Sequence, residues 1–279
     1  MNKILTGALL LLFSSSAAAQ TPRDSIAFAT AQWRTANLGG GAECRYAQID
    51  MFGSRQSISV ATYPGRRFTT SIVHLDRAES TSDLGKAAGA KIAVNSSYFN
   101  VKTFEPVTFV LLDRKIVGRT TPEEAFRTNG VIAFKDRKGR RMEIFPCDTT
   151  QYADVARRYR SALAAGPVLI DGGKVVEYTS GSSFYTRRHP RTLIGKRADG
   201  TVVMAVIDGR FKGQGDGATI AETAYIARQL GLTEALNLDG GGSSTLWTAQ
   251  EGVLNHPYDN RRFDHEGERG VPNCIVVRR

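Results

Sequence analysis

The chain has 279 residues and a formal net charge of +10, with 41% hydrophobic and 23% charged residues. This balance excludes a disordered or low-complexity chain, and the length suffices for one large domain or two small ones with a core that needs no staples. After the N-terminus no apolar run approaches the ~20 residues that a membrane-spanning helix requires.

The N-terminus has the pattern of an export signal. Lys3 supplies a positive start, Ile4 to Phe13 is apolar, and Ala17-Ala18-Ala19 fits a small-residue cleavage site before Gln20. Residues 1–19 are therefore predicted to be a cleaved signal peptide, residues 20–32 a lead-in segment, and residues 33–279 one domain in the periplasm or medium, with no stable membrane anchor. Removing Lys3 takes the formal charge from +10 to +9. The basic residues are scattered in doublets such as Arg66-Arg67 and Arg187-Arg188, with no basic helical stripe carrying interleaved aromatics. That argues against a nucleic-acid partner. An anionic glycan or phosphate-bearing substrate fits the charge, as does an evenly solvated basic surface. Cys44, Cys147 and Cys274 are too few and too far apart for a zinc site, and their odd number leaves at least one thiol unpaired.

Taken in order, a short helix is predicted before Trp33. A hairpin follows over Arg45 to Tyr63, broken at Gly53-Ser54, and then a strand over Phe68 to Leu75. Ser82 to Ala90 reads as a helix with Ser82 as N-cap. Lys91 to Asn95 reads as a buried strand ending in the polar-aromatic run Asn95-Ser-Ser-Tyr98-Phe99-Asn100, which suits either a turn or a binding cleft. Val107 to Val117 forms two strands about Asp113-Arg114. Asn129 to Phe134 pairs with Met142 to Phe145, and Asp154 to Leu163 reads as helical. Val168 to Ile170 turns at Asp171-Gly172-Gly173. The run Thr186-Arg-Arg-His-Pro-Arg-Thr192 offers Arg191 as a fork for carboxylate or phosphate, while His189 reads as a surface residue before a proline.

Leu193 to Ile207 is a hairpin turning at Asp199-Gly200. Its second strand is apolar throughout, as for a sheet covered on both faces, and it ends at Asp208-Gly209-Arg210. Thr219 to Glu222 has the spacing of a capping box, so Glu222 is either a helix cap or a catalytic acid. The helix it opens ends at Gly231, and a strand then delivers Asn237-Leu-Asp239-Gly240-Gly241-Gly242-Ser243-Ser244. Three glycines after a buried strand let main-chain N–H groups approach a ligand as an anion-binding nest, or make a tight turn. A strand, helix and strand with an aspartate ending each strand predicts a crossover that brings Asp208 and Asp239 to one crevice if the strands are parallel neighbours. Asn255 to His265 reads as a surface loop, and Arg269 to Val277 as a final strand.

No phosphate-binding loop, dinucleotide fingerprint, zinc-protease helix or serine elbow is present. What remains is carboxylates with an arginine and a nest, which suits glycosidic or phosphodiester hydrolysis, one carboxyl protonating the leaving oxygen and another serving as base or nucleophile. The block Asn237 to Thr245 resembles the hallmark of the phosphodiester glycosidase family. Asn95 to Phe99, Ala165-Gly-Pro167 with Asp171-Gly172, Arg191-Thr192 to Gly195, Asp208-Gly-Arg210, Glu222 and the terminal Val-Pro-Asn strand follow in the family's order. The resemblance covers roughly Trp33 to Val277. It implies an α/β (α+β) single domain with mixed β-sheets and flanking helices, and hydrolysis of a sugar-1-phosphodiester in a glycan or cell-envelope polysaccharide.

In that reading Asp239, Asp208 and Glu222 are catalytic. Asn95, Tyr98, Arg191, Arg210, Asn237, Gly240, Gly241, Gly242, Ser243 and Ser244 bind substrate, Arg191 through phosphate and Asn95 through a sugar hydroxyl. A calcium or magnesium ion on Asp208 and Asp239 is an option that oxygen ligands allow. Ser96 and Ser97 stand where the family has glycines, and Thr108 where relatives often have glycine, which bears on substrate identity. Two further readings are a glycan-binding module without turnover, and a serine hydrolase pairing Ser243 or Ser244 with His189 or His265.

Overall fold

The computed structural model describes residues 22–137 and 139–279, so the expected signal peptide lies outside the described residues. Three sheets form one α+β domain. The largest has eight strands in the spatial order Arg34–Gly39, Ala42–Met51, Ser54–Pro64, Thr201–Ile207, Arg191–Lys196, Glu234–Asn237, Val168–Asp171 and Lys174–Val175. A second runs Lys115–Gly118, Val110–Leu112, Ser161–Ala165, Gly130–Phe134 and Met142–Pro146. The third runs Gly252–Val253, Leu246–Thr248, Ile92–Asn95, Val271–Arg278 and Thr69–Glu79. The pairings along all three are antiparallel, where mixed sheets were expected.

The Thr201–Ile207 strand shows why the sheets stack as they do. Val202, Met204 and Val206 point into a core shared with Val94 and Ile275 of the third sheet and Ile132 and Leu163 of the second. Val203, Ala205 and Ile207 point the other way, onto Ile220, Ala224 and Ala227 of the helix Ile220–Gln229. Successive side chains of a strand face opposite sides, so a strand apolar at every position needs cover on both. The other two sheets are covered on their outer faces by short helices. Leu84 of the helix Thr81–Ala87 packs with Trp247 and Val276, and Val155 of the helix Tyr152–Arg158 packs with Leu111 and Val131.

Several local expectations need correction. The helix expected over Asp154 to Leu163 stops at Arg158, and Ser161–Ala165 is a central strand. The segment Ala162-Leu-Ala-Ala favours helix in isolation, but burial between two strands outweighs that preference. The helix expected from Ser82 begins at Thr81, capped by Ser80, whose hydroxyl accepts from Asp83 N at 3.1 Å. Arg34–Gly39, where no strand was expected, is an edge strand. The tail expected on the surface is rooted inside, with Asn255 fully buried. All three cysteines are free and buried, and burial pushes the Cys44 and Cys147 thiols up to about 11.

Candidate active site

The two aspartate-bearing strands are not neighbours. Arg191–Lys196 lies between them and is antiparallel to both, so they run in the same direction. The pairs Arg191 with Ile207 and Leu193 with Asn237 set both carboxyl ends at the edge where Pro190 enters the sheet. Asp239 is held there by the third sheet. Its N–H donates to Ser96 O at 2.8 Å, and its carbonyl accepts from Asn95 Nδ2 at 2.7 Å.

The glycines after it serve close approach. A Cβ on Gly240 would lie 2.6 Å from Pro190 O, and one on Gly242 would lie 2.3 Å from Asp259 Oδ1. The run is a turn more than an open nest. Gly241 N–H donates to Pro190 O at 2.9 Å and Ser243 N–H to Gly240 O at 3.3 Å, so two of its donors are spent on the main chain.

A cleft of about 340 Å³ opens over this turn. Its walls are Asp239, Gly240 to Gly242, Tyr98, Phe184, His189 and four arginines, Arg127, Arg191, Arg210 and Arg269. Loss of solvent pushes the Asp239 carboxyl up to about 6, against the pull of the nearby Ser243 hydroxyl and of Arg127 and Arg269. The Ser243 Oγ nevertheless makes no hydrogen bond of standard geometry. Burial first, then Arg191 and Arg210, hold His189 below its usual range and so favour the uncharged ring.

The arginines divide into two kinds. Arg127 is tied to Glu124 and Arg269 to Asp259. Arg191 is buried and donates to three carbonyls, Nε to Ala218 O at 2.8 Å and Nη2 to Phe184 O and Arg187 O. Among the described residues its Nη1 makes no hydrogen bond and Arg210 makes no ion pair, the Arg210 guanidinium standing 5.1 Å from the Tyr258 ring. Burial lowers the Arg191 pKa to about 10, which leaves it cationic at neutral pH. Two guanidinium groups thus have donors to spare around one carboxyl of raised pKa. That arrangement can hold an anion and move a proton beside it.

The remaining expected site residues sit behind this surface. Asp208 is buried and does not line the cleft. Its Oδ1 accepts from Asn255 Nδ2 at 3.0 Å and His256 N at 2.9 Å, while Oδ2 accepts from Ser57 Oγ at 2.6 Å and lies 3.0 Å from His256 Nδ1. With both oxygens committed, Asp208 does not fit a divalent ion shared with Asp239. Among the described residues no group of three or more His, Cys, Asp or Glu side chains could hold a metal.

Glu222 is the helix cap. It accepts from Thr219 N at 2.8 Å and takes a forked contact from Arg188. Glu222→Gln is expected to cost about 1 kcal/mol in a thermal melt while leaving affinity of the cleft for inorganic phosphate, measured by calorimetry, unchanged.

Asn95 is fully buried, and its Oδ1 accepts from Thr192 Oγ1 and Thr245 N, so it braces the glycine turn from beneath. Asn237 Nδ2 donates to Gly166 O at 2.8 Å and to Tyr98 Oη at 3.1 Å, setting the Tyr98 ring in the cleft wall. Ser96 and Ser97 both donate to Asn273 Oδ1, a use that glycines could not supply. The hydroxyls of Ser243 and Ser244 are buried and have no hydrogen-bond partner among the described residues, while His265 Nδ1 is engaged with Asn255 O. The serine–histidine contact that a serine hydrolase uses is therefore missing. Arg127 and Arg269 were not anticipated. Arg127 comes from a segment without local pattern and Arg269 from the start of the segment read as the final strand, and both reach the site through the fold.

The family model for phosphodiester glycosidases matches residues 88–278. The chain belongs to this family. The chain is 26% identical over 200 residues to mouse N-acetylglucosamine-1-phosphodiester alpha-N-acetylglucosaminidase, an alignment covering 68% of the chain and 36% of the relative. It is 38% identical over 90 residues to the SPbeta prophage-derived uncharacterized protein YomE of Bacillus subtilis (strain 168), covering 32% of the chain and 13% of that protein. Both curated relatives are thus matched over well under two thirds of their own length. Among solved structures, the zebrafish N-acetylglucosamine-1-phosphodiester alpha-N-acetylglucosaminidase catalytic domain, auto-inhibited by its pro-peptide, superposes with a TM-score of 0.66 at 16% identity, covering 89% of this chain and 88% of that one. A putative exported protein from Burkholderia pseudomallei K96243 gives 0.60 at 18% identity, covering 81% and 74%. These structural likenesses concern the fold.

Proposed function

We propose that this protein is an exported hydrolase that cleaves a sugar-1-phosphodiester, within a glycan or cell-envelope polysaccharide, at the bond between the anomeric carbon and the phosphate oxygen. The observation that carries this reading is Asp239, its pKa raised to about 6, in a cleft where Arg191 and Arg210 keep guanidinium donors uncommitted. The signal-like N-terminus supports export. The mouse and zebrafish relatives named for N-acetylglucosamine-1-phosphodiester support the substrate class.

The chemistry explains why a second carboxyl is not needed on the cleft wall. When water attacks the anomeric carbon, the carbon–oxygen bond breaks and its electron pair leaves with the phosphate. A phosphomonoester departs without prior protonation, and Arg191 and Arg210 hold the charge that develops on it. The proton to be moved is the one on the attacking water, and Asp239 accepts it as general base. Asp208 and Glu222 then act through the scaffold, and Tyr98 forms the wall beside Asp239.

Activity as a base requires the carboxylate. On the methyl phosphodiester of N-acetylglucosamine 1-phosphate, kcat/KM is expected to rise with pH through about 6 and then level. A profile that falls through that range would make Asp239 an acid. Binding of the diester with no turnover at any pH would favour a glycan-binding module on this fold.

A further inference from the structure

Among the described residues, few large apolar side chains stand exposed, and one of them borders the cleft. Phe126 is 55% exposed. Its ring packs edge-to-face on Phe184 with centroids 6.1 Å apart, and both Phe184 and the next residue, Arg127, line the cleft. The position is fixed from below, since Tyr185 Oη donates to Phe126 O at 3.0 Å and the two rings lie 6.4 Å apart. An apolar surface held rigidly beside a polar cleft marks a place for ligand.

The order of groups says which part of a ligand it would meet. The Arg191 guanidinium lies 5.1 Å from the Phe184 ring, and that of Arg127 lies 5.1 Å from the same ring and 5.8 Å from Phe126. Arg191, Phe184 and Phe126 thus form a contiguous line beside the cleft that Asp239 shares. We infer that Phe126, backed by Phe184, is a platform for the sugar on the leaving side of the phosphate. This rests on the hydrolase reading for the position of the phosphate. A phosphate on Arg191 directs its second ester group across Phe184. A pyranose has an apolar carbon face with hydroxyls at its rim, and an aromatic ring more than half exposed accepts the former. Arg127 uses its Nε on Glu124 and stacks on Tyr98, and its terminal nitrogens, which make no hydrogen bond among the described residues, can reach the latter.

The test is a binding experiment and does not need turnover, so its outcome is separate from that of the hydrolase assay. Wild-type, Phe126→Ala and Phe126→Tyr proteins are titrated calorimetrically with glucose 6-phosphate and with inorganic phosphate. Phe126→Ala is expected to weaken glucose 6-phosphate about 5- to 10-fold, on the scale of one aromatic contact, and to leave inorganic phosphate within two-fold. Phe126→Tyr is expected to restore the sugar phosphate. Because Phe126 is exposed, the alanine variant is expected to melt with the wild type, which a thermal scan checks. Equal affinity of wild type and Phe126→Ala for glucose 6-phosphate, or an equal loss for both ligands, would overturn the proposal.

Discussion

Asp239→Asn is expected to lower kcat by about 10²- to 10⁴-fold, the range associated with loss of a positioned proton acceptor, and to keep or tighten phosphate binding. An amide cannot take the proton from water, while the arginines around it remain and one negative charge is gone. The same variant should be more stable than the wild type. The carboxyl is raised from 3.8 to about 6 by desolvation, so folding favours its protonated form. Stability tied to this group is fully present below pH 3.8 and is lost as pH rises through about 6. Two pH units correspond to about 3 kcal/mol, which partial exposure of the residue to the cleft reduces to roughly 1–2 kcal/mol. Melting curves should place the asparagine variant above wild type at pH 8, the gap closing below about pH 4. Full turnover by Asp239→Asn would remove the proposed mechanism.

Asp208→Ala carries the second large effect, and it falls on the fold first. The substitution strips acceptors from Ser57 Oγ, Asn255 Nδ2 and the His256 N–H in a buried site. Leaving such donors unpaired costs about 3 kcal/mol or more, a fall of about 10 °C in Tm for a chain of this size. The loss should reach the cleft along the chain. Asn255 and His256 root the segment that carries Asp259, and Asp259 holds Arg269 against Gly242. KM for the diester is therefore expected to rise more than kcat falls. A variant with wild-type Tm and a kcat loss matching that of Asp239→Asn would instead place Asp208 among the reacting groups.

Periodicity and local chemistry carried much of the fold. The unbroken apolar run of Thr201 to Ile207 announced burial on both faces, and Thr219 with Glu222 announced a helix start. Both are properties of neighbours in sequence. The strand–helix–strand order suggested parallel neighbours for the two aspartate-bearing strands, but Arg191–Lys196 lies between them and is antiparallel to both. The candidate site was legible where a single segment builds it, as in Asp239 with its glycines. It was not legible where lone pairs decide. Asp208, Glu222 and Asn95 have the right chemical type and lie near the right edge, yet partners more than twenty residues away occupy the oxygens of Asp208 and Asn95. Glu222 is taken up by its own helix cap and by Arg188. Arg127 and Arg269 show the converse, since nothing beside them in the chain marks them as cleft residues.

The three sealed thiols have a practical consequence. With no cross-link to form, this chain can be refolded in reductant without mispairing. Each cysteine also becomes a reporter, because a buried thiol with its pKa raised by burial reacts with an alkylating reagent only when the layer around it opens. Cys147 follows a strand of the second sheet, Cys44 lies in the largest and Cys274 in the third. The order in which they become alkylated in denaturant would read out which layer of the molecule comes apart first.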